Sequence, residues 1–274
     1  MIDFAPSTFI FVALPCEAKP LIQAWRLKKL PQKQPFAIYK NADIVLVISG
    51  VGKIAMAGAV AYTLAQFPEA TQPILLNFGI AGHRHQALGS CFLADKITDA
   101  ETQRRFYPQL AFDALCPTTL PLITLSSADV EYNDENLRDM EAAAFYEIAV
   151  KFSSSELIHC LKVVSDNAES ALEKINEELV MAWVQARIAD VEGMIAVLTT
   201  LRGSLPTSES ALYKQLLEQF HFTATNAAKL HTLVNRWQAL NHSATLDLAG
   251  TKFENARALL AWLETQLEKH QYYL

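Results

Sequence analysis

The pentapeptide Ile44-Val45-Leu46-Val47-Ile48 has no polar face. Side chains alternate across a β-strand, so this run is apolar on both sides, and only a strand covered on both faces suits it. Phe9 to Leu14, Ile74-Leu75-Leu76-Asn77-Phe78, Leu122 to Leu125 and Leu161 to Val164 read the same way. Helical patterns lie between them: Cys16 to Trp25, an Ala-rich segment from Lys53 to Phe67, and Met140 to Lys151. Buried strands alternating with helices predict an α/β fold: a three-layer α/β/α domain with a mostly parallel central sheet, over residues 1–203. The pattern then changes. Leu212, Leu216 and Phe220 share one helical face, as do Leu230, Leu233, Val234 and Trp237, and Leu259, Leu260, Leu263 and Leu267. With no strand between them, residues 204–274 read as an all-helical C-terminal extension, broken at Leu205-Pro206 and Ala249-Gly250. Its last helix opens with Thr251-Lys252-Phe253-Glu254, a capping box in form.

Charge and composition narrow the function classes. With 51% hydrophobic and 19% charged residues in 274, the chain buries a sizeable core, which excludes intrinsic disorder. A net charge of −6, with no basic run beyond Lys28-Lys29, gives no field for nucleic acid, so no nucleic-acid partner is expected. No apolar run is as long as a membrane span, and Thr8 to Cys16 lacks the basic flank of a signal peptide. Cys16, Cys91, Cys116 and Cys160 are scattered, without a C-x-x-C pair, and His159-Cys160 stands alone as a His/Cys neighbour pair. The expectation is a cytoplasmic protein with reduced thiols, no metal and no membrane partner.

Six of the nine glycines (Gly50, Gly52, Gly58, Gly79, Gly82 and Gly89) fall in one stretch, two clusters of them directly after predicted strands. There the carboxyl ends of a parallel sheet form a ligand crevice, and glycine lets backbone N–H groups approach a ligand. Three acids fall at comparable positions: Glu17 just after the first strand, Glu141 at the start of an Ala-rich helix, and Asp166 after the strand Leu161 to Val164. Singly, each reads as a first-turn acid or a helix cap. Together, at successive strand ends of one sheet, they point to a site.

In order along the chain stand Val12 to Leu21, Ser49-Gly50-Val51-Gly52-Lys53, Asn77-Phe78-Gly79-Ile80-Ala81-Gly82, Asp139-Met140-Glu141-Ala142 and Leu161-Lys162-Val163-Val164-Ser165-Asp166. This succession resembles the nucleoside phosphorylase and nucleosidase superfamily, most closely its 5′-methylthioadenosine/S-adenosylhomocysteine nucleosidase branch, over roughly residues 8 to 200. The resemblance implies cleavage of the N-glycosidic bond of a purine nucleoside, without a cofactor, in a homodimer or larger homo-oligomer. It assigns Asp166 as the general acid toward the base N7 and Glu17 as the group that orients or deprotonates water. It further implies that Glu141 receives the ribose hydroxyls, that Met140 packs on the sugar, and that Ala13, Gly79, Ile80 and Ser165 complete the substrate contacts.

The chain also departs from that pattern. Ile80 stands where nucleosidases usually carry serine, and Lys162 replaces an arginine shortly before the Ser-Asp pair. The base-stacking segment is shortened, leaving Tyr132 as the stacking candidate. The Gly-Ile-Ala-Gly turn also resembles futalosine hydrolases. Water is the expected nucleophile, because an acid in the nucleophile corner repels phosphate. If phosphate were used instead, Arg84, Gly50 and Lys19 would be its candidate ligands. The competing class is a non-catalytic nucleoside-binding or scaffold protein that kept the fold. His83-Arg84-His85 reads as an exposed loop, and Arg104-Arg105-Phe106-Tyr107-Pro108 as a substrate-capping loop or a plain hairpin.

Overall fold

A strand buried along its whole length, Thr8–Val12 (β1), lies at the centre of the chain's main sheet. The structure, a computed structural model, describes residues 6–31, 33–110, 118–128, 133–170, 175–205, 211–240 and 253–271. It divides into two compact units, Met1–Leu205 and Pro206–Leu274.

In the first unit β1 is followed by α1 (Pro15–Ala24), then by the short strands β2 (Lys28–Lys29), β3 (Ala37–Lys40) and β4 (Ile44–Ile48). Next come α2 (Lys53–Gln66), β5 (Ile74–Gly82), β6 (Cys91–Asp99), β7 (Arg105–Phe106), β8 (Thr119–Thr124) and β9 (Leu137–Asp139). The unit ends with α3 (Ala142–Ala149), β10 (Ile158–Asp166), α4 (Glu177–Ala186) and α5 (Ile188–Ser204). Alternation along β1 sets the layers: Phe9 and Phe11 pack with Met56, Val60 and Phe145 of α2 and α3. Ile10 and Val12 pack on the other side with Leu21, Val184, Val191 and Leu198 of α1, α4 and α5. The apolar runs are apolar on both faces because each face has its own helix layer.

The sheet is mixed, which corrects the mostly parallel expectation. The core β4-β1-β5-β10 is parallel throughout. Antiparallel pairs then attach β3 to β4, β2 to β3, β6 to β10, β7 to β6 and β9 to β5. Since β6 also pairs with β8 and β8 with β9, the strands β5, β10, β6, β8 and β9 close a ring, and the sheet is partly barrel-like. Ring closure explains how β5 pairs with three strands: its first half faces β1, and its last residue, Gly82, pairs with Arg138 of β9. The strands missed in the sequence are those without a long apolar run; β6 carries Asp95 and Lys96 mid-strand.

The second unit contains α6 (Ala211–Gln219), α7 (Ala224–Leu240) and α8 (Ala256–Gln271), whose buried residues include Leu216, Leu230, Val234, Leu259 and Leu263. Ala249-Gly250 and Thr251 lie outside the described residues. The cap of α8 falls to Asn255, whose Oδ1 accepts the Ala258 N–H at 3.0 Å. Among the described residues no helix is long and apolar enough to cross a membrane.

Phe145 is fully buried and its ring centroid stands 5.8 Å from that of Phe11, fixing α3 to the central strand. Phe145→Ala is expected to cost about 3–5 kcal/mol through lost burial and the cavity left behind. A lower urea midpoint for the first unit, read by intrinsic fluorescence, checks it.

Candidate active site

β1 and β5 are paired from Thr8↔Ile74 to Phe11↔Asn77 and then part. The split falls where chain order changes direction: β4 lies on one side of β1 and β5 on the other, the topological switch point at which open α/β sheets bind ligands. Glu17 sits in the split. From the first turn of α1 its Oε2 accepts the Ala13 N–H at 2.9 Å and the Leu14 N–H at 2.8 Å. Its Oε1 accepts the Ile80 N–H of β5 at 2.9 Å. The carboxylate thus stands in for the strand that β5 lost, and it serves α1 as a capping acid as well. A Cβ on Gly79 would fall 2.7 Å from Oε1, so glycine is required by the acid rather than by a turn. Glu17 is buried, and burial raises its carboxyl above the usual range despite the three N–H donors and Lys162, which pull it down.

Glu141 is the residue at which β9 passes into α3. Its Oε1 accepts the Gly52 N–H at 2.7 Å, from the N-terminus of α2, and its Oε2 accepts its neighbour Met140 N–H at 3.3 Å. Gly50 and Gly52 have φ of +82° and +101°, conformations that favour glycine, so this turn delivers the Gly52 N–H to Glu141. Burial, with the Asp139 charge beside it, pushes the Glu141 carboxyl up to about 7, against the pull of Lys162 and the Gly52 N–H. Asp166 ends β10 beside Gly82 and accepts the Ser165 hydroxyl on Oδ1.

The three acids converge. Glu17, Glu141 and Asp166 line one cleft together with Ala13, Ile80, Met140 and Ser165. The cleft encloses about 620 Å³, part of it open to solvent at the mouth, within the range of small-molecule sites. Leu14, Val51, Leu125, Ser127 and Ala128 supply further walls. Gly79 lies against Glu17 and is not part of the lining. Tyr132 lies outside the described residues. Lys19 is exposed on α1, Gly50 stays outside the lining, and exposed Arg84 stands 3.8 Å from Glu135, so the three phosphate candidates are not gathered in the cleft. Asn77 instead braces the split, its Nδ2 donating to the Phe11 carbonyl at 3.1 Å.

Lys162 is fully buried, its Nζ 2.8 Å from Asp139 Oδ2. Burial alone would lower its ammonium, but Asp139 and Glu141 more than offset that and raise it. Asp139 is fixed in turn by the Thr124 hydroxyl at 2.7 Å and the Ala142 N–H at 2.8 Å. A protonated lysine therefore lies beneath the acids of the cleft.

One expectation changes, and one left open between two alternatives takes the hairpin form. His83 is fully buried, not an exposed loop residue. Its Nδ1 accepts the His85 and Gln86 N–H groups, so the proton sits on Nε2, which donates to the Glu135 carbonyl, and burial lowers its imidazolium range. Arg105–Phe106 forms β7, a hairpin with β6, and Arg104 pairs with Glu147. Arg138 was overlooked in the sequence, yet it lines the cleft. Its place there comes from the pairing of β9 with β5, which leaves no signal in the sequence.

Gly79→Ala is expected to displace the Glu17 carboxylate and cost about 1–3 kcal/mol by overpacking, checked by thermal unfolding. Glu141 yields a second expectation. Its carboxyl is harder to ionise in the folded than in the unfolded chain, so its contribution to stability is full at low pH and is lost as pH rises through about 7. Glu141→Gln should therefore melt higher than the parent at pH 8, with the gain shrinking toward pH 5.

Neither a protein-family model nor a curated relative matches this sequence. Solved structures do. The 5′-methylthioadenosine/S-adenosylhomocysteine nucleosidase of Helicobacter pylori superposes with a TM-score of 0.58 at 13% identity, over 70% of this chain and 99% of that one. The futalosine hydrolase of Helicobacter pylori gives 0.57 at 13% identity, over 70% and 98%. The 5′-methylthioadenosine nucleosidase of Arabidopsis thaliana gives 0.53 at 20% identity, over 75% and 99%. At such identities the likeness is one of fold: this chain shares the fold of these two nucleosidases and of the futalosine hydrolase.

Proposed function

We propose that the cleft hydrolyses the N-glycosidic bond of a purine nucleoside, a methylthioadenosine, S-adenosylhomocysteine, futalosine or related compound. The observation that carries this reading is the convergence of Glu17, Glu141 and Asp166 on one cleft of suitable size. In the reaction, the C1′–N9 bond breaks as the ribose gains oxocarbenium character and Asp166 passes its proton to N7 of the departing base. Water attacks C1′ and gives up a proton to Glu17. A carboxylate oxygen has about two acceptor positions; Oε2 of Glu17 has both filled by Ala13 and Leu14, while Oε1 uses one on Ile80 and keeps one for the water. Burial, by raising the Glu17 carboxyl, makes it a stronger base than an exposed glutamate.

Glu141 is oriented by Gly52 and Met140, and each oxygen retains an acceptor position for one ribose hydroxyl. Ionised Glu17 and Glu141 stabilise the cationic sugar, while Lys162 beneath them limits their mutual repulsion. Ile80 does not weaken this arrangement, because Glu17 is anchored by the Ile80 backbone and needs no hydroxyl there. Water is the nucleophile because Glu17 fills the corner that phosphate would need.

Base release from a nucleoside panel, with and without phosphate, tests the reading. Release is expected without phosphate and should fall about 10²- to 10⁴-fold in Asp166→Asn. Release that depends on phosphate, or that survives in Asp166→Asn, contradicts it. Since Glu141 must be ionised to receive the hydroxyls, kcat/KM should rise with pH through about 7.

A further inference from the structure

His83 follows directly on the last residue of β5, and its buried ring joins segments that meet at the cleft. Its backbone N–H donates to the Asp166 carbonyl at 3.0 Å. Its Nδ1 accepts the His85 and Gln86 N–H groups at 3.0 and 3.1 Å, which folds the chain after β5 into a tight loop. That loop holds the residues after Asp166. The Arg84 carbonyl accepts the Ala168 N–H at 3.2 Å, and the Gln86 carbonyl accepts from Asn167 Nδ2 at 2.9 Å. On its far side the ring donates from Nε2 to the Glu135 carbonyl at 3.1 Å. Glu135 leads into β9, which delivers Met140 and Glu141 to the cleft. One imidazole thus connects the Asp166 wall to the Glu141 wall.

Loop closure alone does not need a histidine. Asn41 and Asn167 close the same kind of turn in this chain, each accepting on Oδ1 the N–H groups two and three residues ahead. What histidine adds at position 83 is the reach to Glu135 and a ring that can gain a proton. The bonds need one form of that ring, Nδ1 bare and Nε2 protonated. A proton on Nδ1 would face two N–H donors and remove both loop bonds. The charged groups around the ring come from three segments. Asp134 and Glu135 lie on the segment it meets, with Arg138 paired to Asp134 at 3.3 Å; Arg84 and His85 lie on its own loop, 3.8 and 3.7 Å from Glu135; Asp166 ends β10. Burial, with His85 beside it, outweighs the pull of Glu135 and Asp134 and holds the imidazolium range below its ordinary value. We propose that His83 is a positioning residue whose neutral ring holds the Asp166 and Glu141 walls together, and whose protonation releases them and switches the cleft off in acid. Its part in turnover rests on the glycosidic-cleavage reading; the tie between the walls does not.

The test uses His83→Asn, which keeps the loop closed as Asn41 does but removes both the donor to Glu135 and the titration. At pH 8 its kcat/KM should be roughly 10- to 100-fold below the parent's, because the two walls lose their tie. In the parent, kcat/KM should fall with pH by one proton, through Glu141, and by a second below the ordinary imidazole range. In His83→Asn the second proton should be missing. A ring that only stabilised the fold would lower the melting temperature and leave the slope of that profile unchanged. A second measurement needs no substrate: imidazole and amide nitrogen NMR spectra from about pH 8 to about pH 5. Protonation of His83 should move the His85 and Gln86 amides and, with the same midpoint, those of Asn136, Leu137 and Arg138. These coupled shifts should be absent in His83→Asn. An unchanged kcat/KM or a second proton persisting in His83→Asn, or a β9 segment that does not follow the ring, overturns the proposal. If no nucleoside is cleaved, the hydrolase reading fails and the amide shifts decide the role of His83: coupled shifts uphold it, and their absence rejects it.

Discussion

The Glu17 carboxylate closes the split between β1 and β5, and the rest of the cleft is arranged around that contact. Without it, the Ala13, Leu14 and Ile80 N–H groups would be partly buried donors with no strand to pair with, each costing at most about 1–3 kcal/mol. The same three bonds fix where the carboxylate points, so structural need and chemical use coincide in one side chain. Gly79 is dictated by it. The partly closed ring beyond the split brings Gly82, Arg138 and Asp166 side by side, which an open parallel sheet would not do.

The second constraint is electrostatic. Glu17, Asp139, Glu141 and Asp166 are all buried around the cleft, with Lys162 as the buried cation among them. Lys162 forms its direct ion pair with Asp139, which the Thr124 hydroxyl and the Ala142 N–H hold in place, and acts on Glu17 and Glu141 across space. The raised carboxyls of Glu17 and Glu141 show that burial is only partly offset. A site of this kind holds acids less stable than they would be in water, and that strain is what makes them useful for charge chemistry.

Much of this was legible in the sequence. Both-face apolar runs located β1, β4, β5 and β10, since the only environment that fits them is a sheet between helix layers. The acids at strand ends were legible because Glu17, Glu141 and Asp166 each follow such a run or open a helix. What was not legible depends on pairing between distant strands. The antiparallel attachment of β6 and β9 leaves no periodic signature in segments of mixed polarity such as Cys91–Asp99, and so the sheet reads as more parallel than it is. Arg138 escaped notice for the same reason: its place in the cleft comes from the ring closure. His83 looked like a loop residue because polarity alone does not show that Gln86 and Glu135 enclose it.

The most direct measurement is a crystal structure of the protein with a purine-like C-nucleoside, whose carbon–carbon glycosidic bond resists hydrolysis. The ribose hydroxyls are expected to meet Glu141, the base edge to meet Asp166, and an ordered water to rest on Glu17 Oε1 near C1′. A nucleoside bound with its ribose away from Glu141, or outside the cleft altogether, would contradict the claim that these three carboxylates form one site.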